Sequence, residues 1–152
     1  MAQLEVQNIS KRFGKLQALD SVSFDVQDGE FVVMLGPTAA GKTTTLRCIA
    51  GLEKLNDGRV MMDGAGIDKL SPSERDIAFV FQTYALYPRK TAFENMAFPL
   101  QARDMSSAAI KERVTEIAEL LQISELLHRR PAAMSGGQQQ RVALGRAMVR
   151  QP

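Results

Sequence analysis

Phe31-Val32-Val33-Met34-Leu35-Gly36-Pro37-Thr38-Ala39-Ala40-Gly41-Lys42-Thr43-Thr44 is the stretch that decides how this chain folds. Its first five residues are apolar without a break, the pattern of a strand covered on both faces of a sheet, and glycine then interrupts them. Gly36 to Thr43 fits G-x-x-x-x-G-K-S/T, the spacing of a loop that wraps phosphate. Lys42 to Ala50 has helical character, and Gly51 stands where a left-handed C-terminal cap is expected. Strand, glycine-bearing loop and helix thus follow in the order the motif needs. Chance supplies the pattern alone in roughly one chain of this length in a few hundred.

The composition of the loop suits a polyphosphate. Successive backbone N–H groups and the positive end of the following helix can surround several negative charges without many side chains, and small residues let the backbone approach. The nucleotide cradle is expected over Gly36, Pro37, Thr38, Ala39, Ala40, Gly41, Lys42, Thr43 and Thr44. Lys42 would reach the β- and γ-phosphates as a point charge, and the Thr43 hydroxyl would ligate the Mg2+ that bridges them. A polyphosphate with its Mg2+ is therefore the expected ligand of this loop. Ala39 stands where the commonest loops of this kind carry glycine, and a left-handed conformation there costs alanine roughly 1 kcal/mol or more.

Outward from this stretch the chain reads as one ordinary domain of 152 residues, 45% apolar and 24% charged, a globular balance rather than a disordered one. Nineteen Lys and Arg against 17 Asp and Glu leave a net charge of +2, too small an electrostatic footprint for nucleic acid. Its longest strictly apolar runs, Phe31 to Leu35 and Ile77 to Phe81, fall far short of the ~18 to 20 residues of a membrane-spanning helix. Met1 to Ser10 lacks a secretory pattern, so a cytoplasmic location is expected. Cys48 is the only cysteine, excluding an internal disulfide, and its apolar neighbours mark it as a small buried residue.

Leu4, Val6 and Ile9, then Val22, Phe24 and Val26, recur near period two and predict strands. Asp28-Gly29 predicts a hairpin joining Val22 to Val26 with Phe31 to Leu35. Asn56-Asp57-Gly58 marks a turn before a short strand at Arg59 to Met62, and Ile77 to Phe81 predicts another buried strand. Ser71-Pro72-Ser73-Glu74 combines a capping box with proline at a first helical position. Beyond Tyr84 three helices are expected. Thr91-Ala92-Phe93-Glu94 opens the first and Pro99 ends it. Ile110, Val114, Ile117 and Leu121 stripe one face of the second, and the third runs from Ser135 through Val149.

The second informative motif is Met134-Ser135-Gly136-Gly137-Gln138-Gln139-Gln140-Arg141. Ser-Gly-Gly ahead of a helix exposes a hydroxyl and backbone N–H groups at a helix N-terminus, again an anion site, although a flexible N-cap has the same composition. Two helix ends cannot easily serve one phosphate within one chain. A second nucleotide or a second subunit resolves that.

With these motifs in order, essentially the whole chain resembles the ATP-binding subunit of ABC transporters. Gly36 to Thr43 matches that family's Walker A loop, Gln82 in Phe81-Gln82-Thr83-Tyr84 its Q-loop, and Ser135 to Gln138 its signature, with Met134 in place of the more usual leucine. The resemblance implies head-to-tail pairing of two subunits, so that Ser135, Gly136, Gly137 and Gln138 of one face the nucleotide held by Lys42 of the other. It implies adenine stacking by Phe13, which is otherwise equally consistent with packing. It also implies contact of Gln82 with Mg2+ and the attacking water, and with membrane-spanning permease partners. Tyr84-Ala85-Leu86-Tyr87-Pro88 and Phe93 to Leu100 look most like ATPases of bacterial carbohydrate and glycerol-phosphate importers.

The fold expected is α/β, a P-loop NTPase core of ABC type with an N-terminal antiparallel β region and an inserted helical subdomain, incomplete at the C-terminus. The expected divisions are 1–82 for the core, 83–131 for the helical subdomain and 132–152 for the signature and its helix. The family's catalytic Asp-Glu pair and switch histidine follow the signature helix and have no counterpart here; His128 precedes the signature and is expected in an exposed loop. The missing strand would pair beside the one ahead of the phosphate loop, so exposed sheet edge and core are expected. The functional expectation is an ATP-binding subunit of an importer, peripheral on the inner face of the membrane, with very slow turnover by this chain. The alternative is a non-hydrolysing nucleotide-binding or interaction fragment. A P-loop kinase of small molecules is disfavoured by Ser135 to Gln138, and a soluble ABC protein of DNA repair by the near-neutral charge.

Overall fold

Two long strands, β1 (Leu4–Phe13) and β2 (Leu16–Val26), pair antiparallel around a turn at Gly14-Lys15, with Gly14 at φ 58°. The structure is a computed structural model and describes residues 3–152. Val6 lies opposite Phe24 and Ile9 opposite Val22. The register shifts between Val6 and Ile9, where Asn8 turns to φ 50° and its N–H donates to Ser23 Oγ at 2.7 Å. On its other edge β1 pairs antiparallel with β3 (Asp57–Met62), which continues into the short β4 (Ala65–Gly66), giving the order β2-β1-β3-β4.

One face of this sheet is apolar. Val6, Ile9, Leu19 and Val60 are buried together with Cys48 and Ile49 of helix α1 (Lys42–Ile49). Each such aliphatic side chain contributes roughly 1.5 to 3 kcal/mol on burial. Helix α1 ends at Ala50, followed by Gly51 at φ 75°, the left-handed cap its sequence predicts.

Several local expectations fail, each for a physical reason. The Asp28-Gly29 hairpin does not form. Glu30 N–H donates to the Gln27 carbonyl at 3.0 Å, so the chain does turn, but 31–35 joins no ladder and Phe31 and Leu35 are 90% and 89% exposed. Ile77 to Phe81 likewise pairs with none of the described strands. An all-apolar strand depends on neighbours at both edges and layers on both faces, and β-propensity does not replace them. Both runs thus lie outside the sheet, and the first carries the exposed apolar surface expected of an unpaired edge.

The capping residues at Ser71 form their bonds without a helix. Glu74 Oε2 accepts from Ser71 N–H at 2.8 Å and from Ser71 Oγ at 2.6 Å, yet the chain makes only turns and reaches φ 48° at Asp76, a conformation a helix cannot continue through. Pro99 does not end its helix. Helix α2 (Ala92–Gln101) encloses it, because proline deletes one intrahelical donor while buried Met96 and Leu100 hold the last turn in the core.

The chain divides into two compact units, one ending at Ile77 and the other Ala78–Pro152. In the second, α2, α3 (Ser107–Leu120) and α4 (Gly136–Met148) surround a core that includes Met96, Leu100, Ile110, Val114, Ile117 and Val142. The striped residues Ile110, Val114 and Ile117 face inward as their spacing predicts, with Leu121 partly buried beside them. Close approach of α4 to α2 depends on Gly145, where a Cβ would lie 2.7 Å from Met96 Cε. Residues 132–148 therefore share one core with 92–126.

Candidate functional site

In the first unit the loop from Gly36 to Gly41 leads into α1 through three unusual backbone angles, φ 157° at Gly36, 64° at Ala39 and 85° at Gly41. Ala39 is thus left-handed, where an L side chain is strained by roughly 1 to 2 kcal/mol. Gly41 is the N-cap of α1 and has no side chain to satisfy the helix's first N–H groups. A Cβ there would lie 2.7 Å from the Ala18 carbonyl oxygen and 2.7 Å from Leu19 Cδ2, so the absence of a side chain seats the loop on β2. Thr45 Oγ1 donates back to the Gly41 carbonyl at 3.1 Å and steadies the first turn. The Lys42 ammonium folds over the loop, donating to the carbonyls of Gly36 at 2.8 Å and Pro37 at 2.6 Å. Thr43 is exposed and Thr44 half-buried.

The hairpin brings an aromatic ring to this loop. Phe13, at the end of β1, is 44% exposed, with the Lys11 ammonium 4.8 Å from its ring centroid. Phe13, Leu16 and Ala18 line one side of a cavity of about 270 Å3, and the loop and first turn from Ala39 to Thr44 line the other. Helix-end N–H groups, an ammonium, hydroxyls and an exposed ring on one open cavity form a donor set that suits a planar base carrying a charged phosphate chain. No carboxylate lines it. A larger cavity, of about 800 Å3, is bordered by Lys54, Asp57, Asp68 and Arg75 among others; its charges are mixed and it shares no residue with the loop.

In the second unit the signature residues form an N-terminal cap. Ser135 Oγ accepts from Gln138 N–H at 3.3 Å while Gln138 Oε1 accepts from Ser135 N–H at 2.9 Å, a reciprocal capping box. Gly136 and Gly137 occupy the first turn, and a Cβ on either would meet nothing within 4 Å. The helix end is therefore open in front of them. Gln82 is exposed on the irregular segment that leads to Tyr84 and Ala85, at φ 61° and 46°. His128 is exposed, and Cys48 is buried, with burial pushing its thiol pKa up.

Three polar residues that position these segments escaped the sequence reading. Arg75, buried, donates to the carbonyls of Cys48 at 2.9 Å and Ile49 at 2.8 Å, the C-terminal end of α1, and burial pulls its pKa down. Asn95, fully buried, holds the backbone of Tyr87, Lys90 and Thr91. Arg146 reaches Tyr84 and Ala85. The available signal was an asparagine amid the apolar residues of α2.

Residues 19–152 match the family profile described as "ABC transporter". The chain belongs to the ABC transporter family. It is 47% identical, over all its 152 residues, to the sn-glycerol-3-phosphate import ATP-binding protein UgpC of Cereibacter sphaeroides, and covers 44% of that protein. It is 47% identical to the osmoprotective compounds uptake ATP-binding protein GgtA of Synechocystis, covering 42% of it, again along its whole length. The chain thus spans less than half the length of these ABC relatives. Among solved structures, the ATP-binding cassette MJ0796, described as dimeric and bound to ADP and Pi, superposes with a TM-score of 0.88 at 34% identity, covering 98% of this chain and 70% of that one. A nucleotide-free ABC cassette superposes at 0.87 with 32% identity, covering 100% and 66%. The fold is that of an ABC ATPase cassette, with a four-stranded antiparallel sheet and four α-helices among the described residues.

Proposed function

We propose that this chain is the nucleotide-binding part of an ABC importer ATPase, and that it takes Mg-ATP at the cavity between Phe13 and the Gly36 to Thr44 loop. The observation that carries the reading is the meeting of an exposed ring and an uncapped, lysine-bearing helix N-terminus on one cavity. Phe13 stacks the adenine. The backbone N–H groups at the start of α1 receive the phosphates, with Lys42 leaving its two loop carbonyls for the β- and γ-phosphates. The Thr43 hydroxyl would hold Mg2+, with Gln82 as a further ligand proposed from the resemblance, and the ion's charge would offset that of the phosphates. Bound Mg-ATP supplies the phosphoanhydride whose cleavage powers transport. The residues lining the cavity bind and orient it, and no carboxylate stands among them to draw a proton from water.

Ser135, Gly136, Gly137 and Gln138 serve the nucleotide of a second copy, paired head to tail; the dimeric structure of the MJ0796 cassette supports this. The open first turn of α4 and its two glycines leave room for a partner's phosphate. Membrane-spanning permease subunits are the remaining partners, and no helix of the described residues is long and apolar enough to cross the membrane itself. The site of action is the inner face of the cell membrane. The transported solute is a small polar compound of the carbohydrate or glycerol-phosphate class, in keeping with the import and uptake roles in the relatives' names. The slow chemistry expected of the cavity also supports a second reading, a chain that binds nucleotide without hydrolysing it.

Calorimetric titration with Mg-ATP, together with phosphate release, tests the proposal. Saturable binding that Lys42→Ala abolishes, and that Phe13→Ala weakens for ATP but not for inorganic triphosphate, is the expected result. Binding indifferent to Lys42, or phosphorylation of a small acceptor, would show the proposal to be wrong.

A further inference from the structure

Side chains, rather than secondary structure, fix the course of the segment that follows Gln82. Tyr84 and Ala85 are adjacent non-glycine residues in the left-handed region, φ 61° and 46°, a pairing that L side chains resist. Short turns close around them, Tyr84 N–H donating to the Phe81 carbonyl at 2.9 Å and Ala85 N–H to the Thr83 carbonyl at 2.7 Å. Their own carbonyls both point to one group. Arg146 Nη1 donates to the Ala85 carbonyl at 2.8 Å and Nη2 to the Tyr84 carbonyl at 3.0 Å, and the guanidinium carbon lies 5.5 Å from the Tyr87 ring centroid. A planar fork makes two such bonds at once; an ammonium cannot reproduce them in the same geometry. Asn95 of α2 secures the next residues, accepting from Tyr87 N–H at 2.8 Å and donating to the Thr91 carbonyl at 2.9 Å.

Arg146 stands in the last turns of α4, the helix whose first turn carries Gly136 and Gly137. We infer that Arg146 is a positioning residue, clamping the backbone just after Gln82 to the signature helix so that a displacement of α4 is passed to Gln82. The carrier is a rigid helix of 13 residues, about 20 Å long, joined at one end to a strained two-residue element. This inference rests on the reading that Gln82 works at bound Mg-ATP.

The test compares hydrogen exchange of the 152-residue chain with that of Arg146→Ala and Arg146→Lys. Exchange at Tyr84 to Leu86 should accelerate at least tenfold in Arg146→Ala and nearly as much in Arg146→Lys, with α3 amides within twofold of the parent. Glycine at both Tyr84 and Ala85, added to Arg146→Ala, should recover a several-fold part of the lost protection, because glycine enters the left-handed region freely. General loosening of α4 would not be rescued in that way. The ratio of ATP affinities with and without Mg2+ supplies the functional arm. Gln82→Ala should lower it, Arg146→Ala should lower it equally, and the double variant should go no further.

Unchanged exchange at 84–86, failure of the glycine rescue, or a ratio that falls only in Gln82→Ala overturns the inference. If Arg146→Ala loosens the whole helical unit, the glycine variants decide by the same criterion. A parent chain that binds no Mg-ATP removes the functional reading instead, and the exchange comparison then decides the clamp alone.

Discussion

Ala39 concentrates the tension of the site in one residue. Its φ of 64° puts an L side chain in a conformation that glycine adopts freely, so Ala39→Gly should stabilise the first unit by about 1 kcal/mol and tighten Mg-ATP several-fold. Denaturant melts and a titration check both; a glycine variant no more stable than the parent would mean that the loop relaxes around alanine. This strain was legible in the sequence because a motif fixes backbone conformation at each of its positions. Phe13 was legible only through resemblance, since a lone aromatic beside a turn has no pattern, and the hairpin geometry is what brings it to the loop. Arg146 and Asn95 were illegible for a related reason. Their partners are backbone carbonyls and amides, which leave no trace in residue identity.

At the scale of elements, caps and stripes read well and long-range pairing did not. Thr91-x-x-Glu94 starts α2 with a reciprocal capping box, and the stripe of α3 packs as spaced. Backbone and side-chain hydrogen bonds with Thr91 hold the Glu94 carboxyl below the ordinary carboxylate range. Folded Glu94 thus binds fewer protons than the unfolded chain does, so it adds stability above that range and loses it as pH falls through the folded value. Glu94→Gln should therefore flatten stability against pH between about pH 5 and pH 3, read by chemical melts of α2 helicity. A slope identical to the parent's would contradict the bond pattern. By contrast 31–35 has the composition of a buried strand and forms none, because its ladder depends on residues remote in sequence. Ser71 to Glu74 shows the limit of local signals from the other side, with cap bonds formed and no helix behind them.

Across the whole molecule, the family and its cassette fold emerged from three short motifs in order, while the division of the chain reflects packing. The helices after Tyr84 share one apolar core, and the sheet with α1 builds another. Phe31, Val33 and Leu35, at 90%, 60% and 89% exposure, leave a contiguous apolar run on the first unit, and a net charge of +2 offers little repulsion to oppose association. Light scattering should show concentration-dependent association of the chain, reduced when Phe31 and Leu35 are both replaced by lysine with the melting of the helical unit unchanged. A monodisperse parent would contradict that.

The most direct test of a nucleotide site between Phe13 and the Gly36 to Thr44 loop is hydrogen exchange of the chain with and without Mg-ATP. Bound nucleotide should slow exchange at amides from Thr38 to Thr45, and Lys42→Ala should abolish the effect. Protection that falls elsewhere, or that survives loss of the Lys42 ammonium, would contradict it.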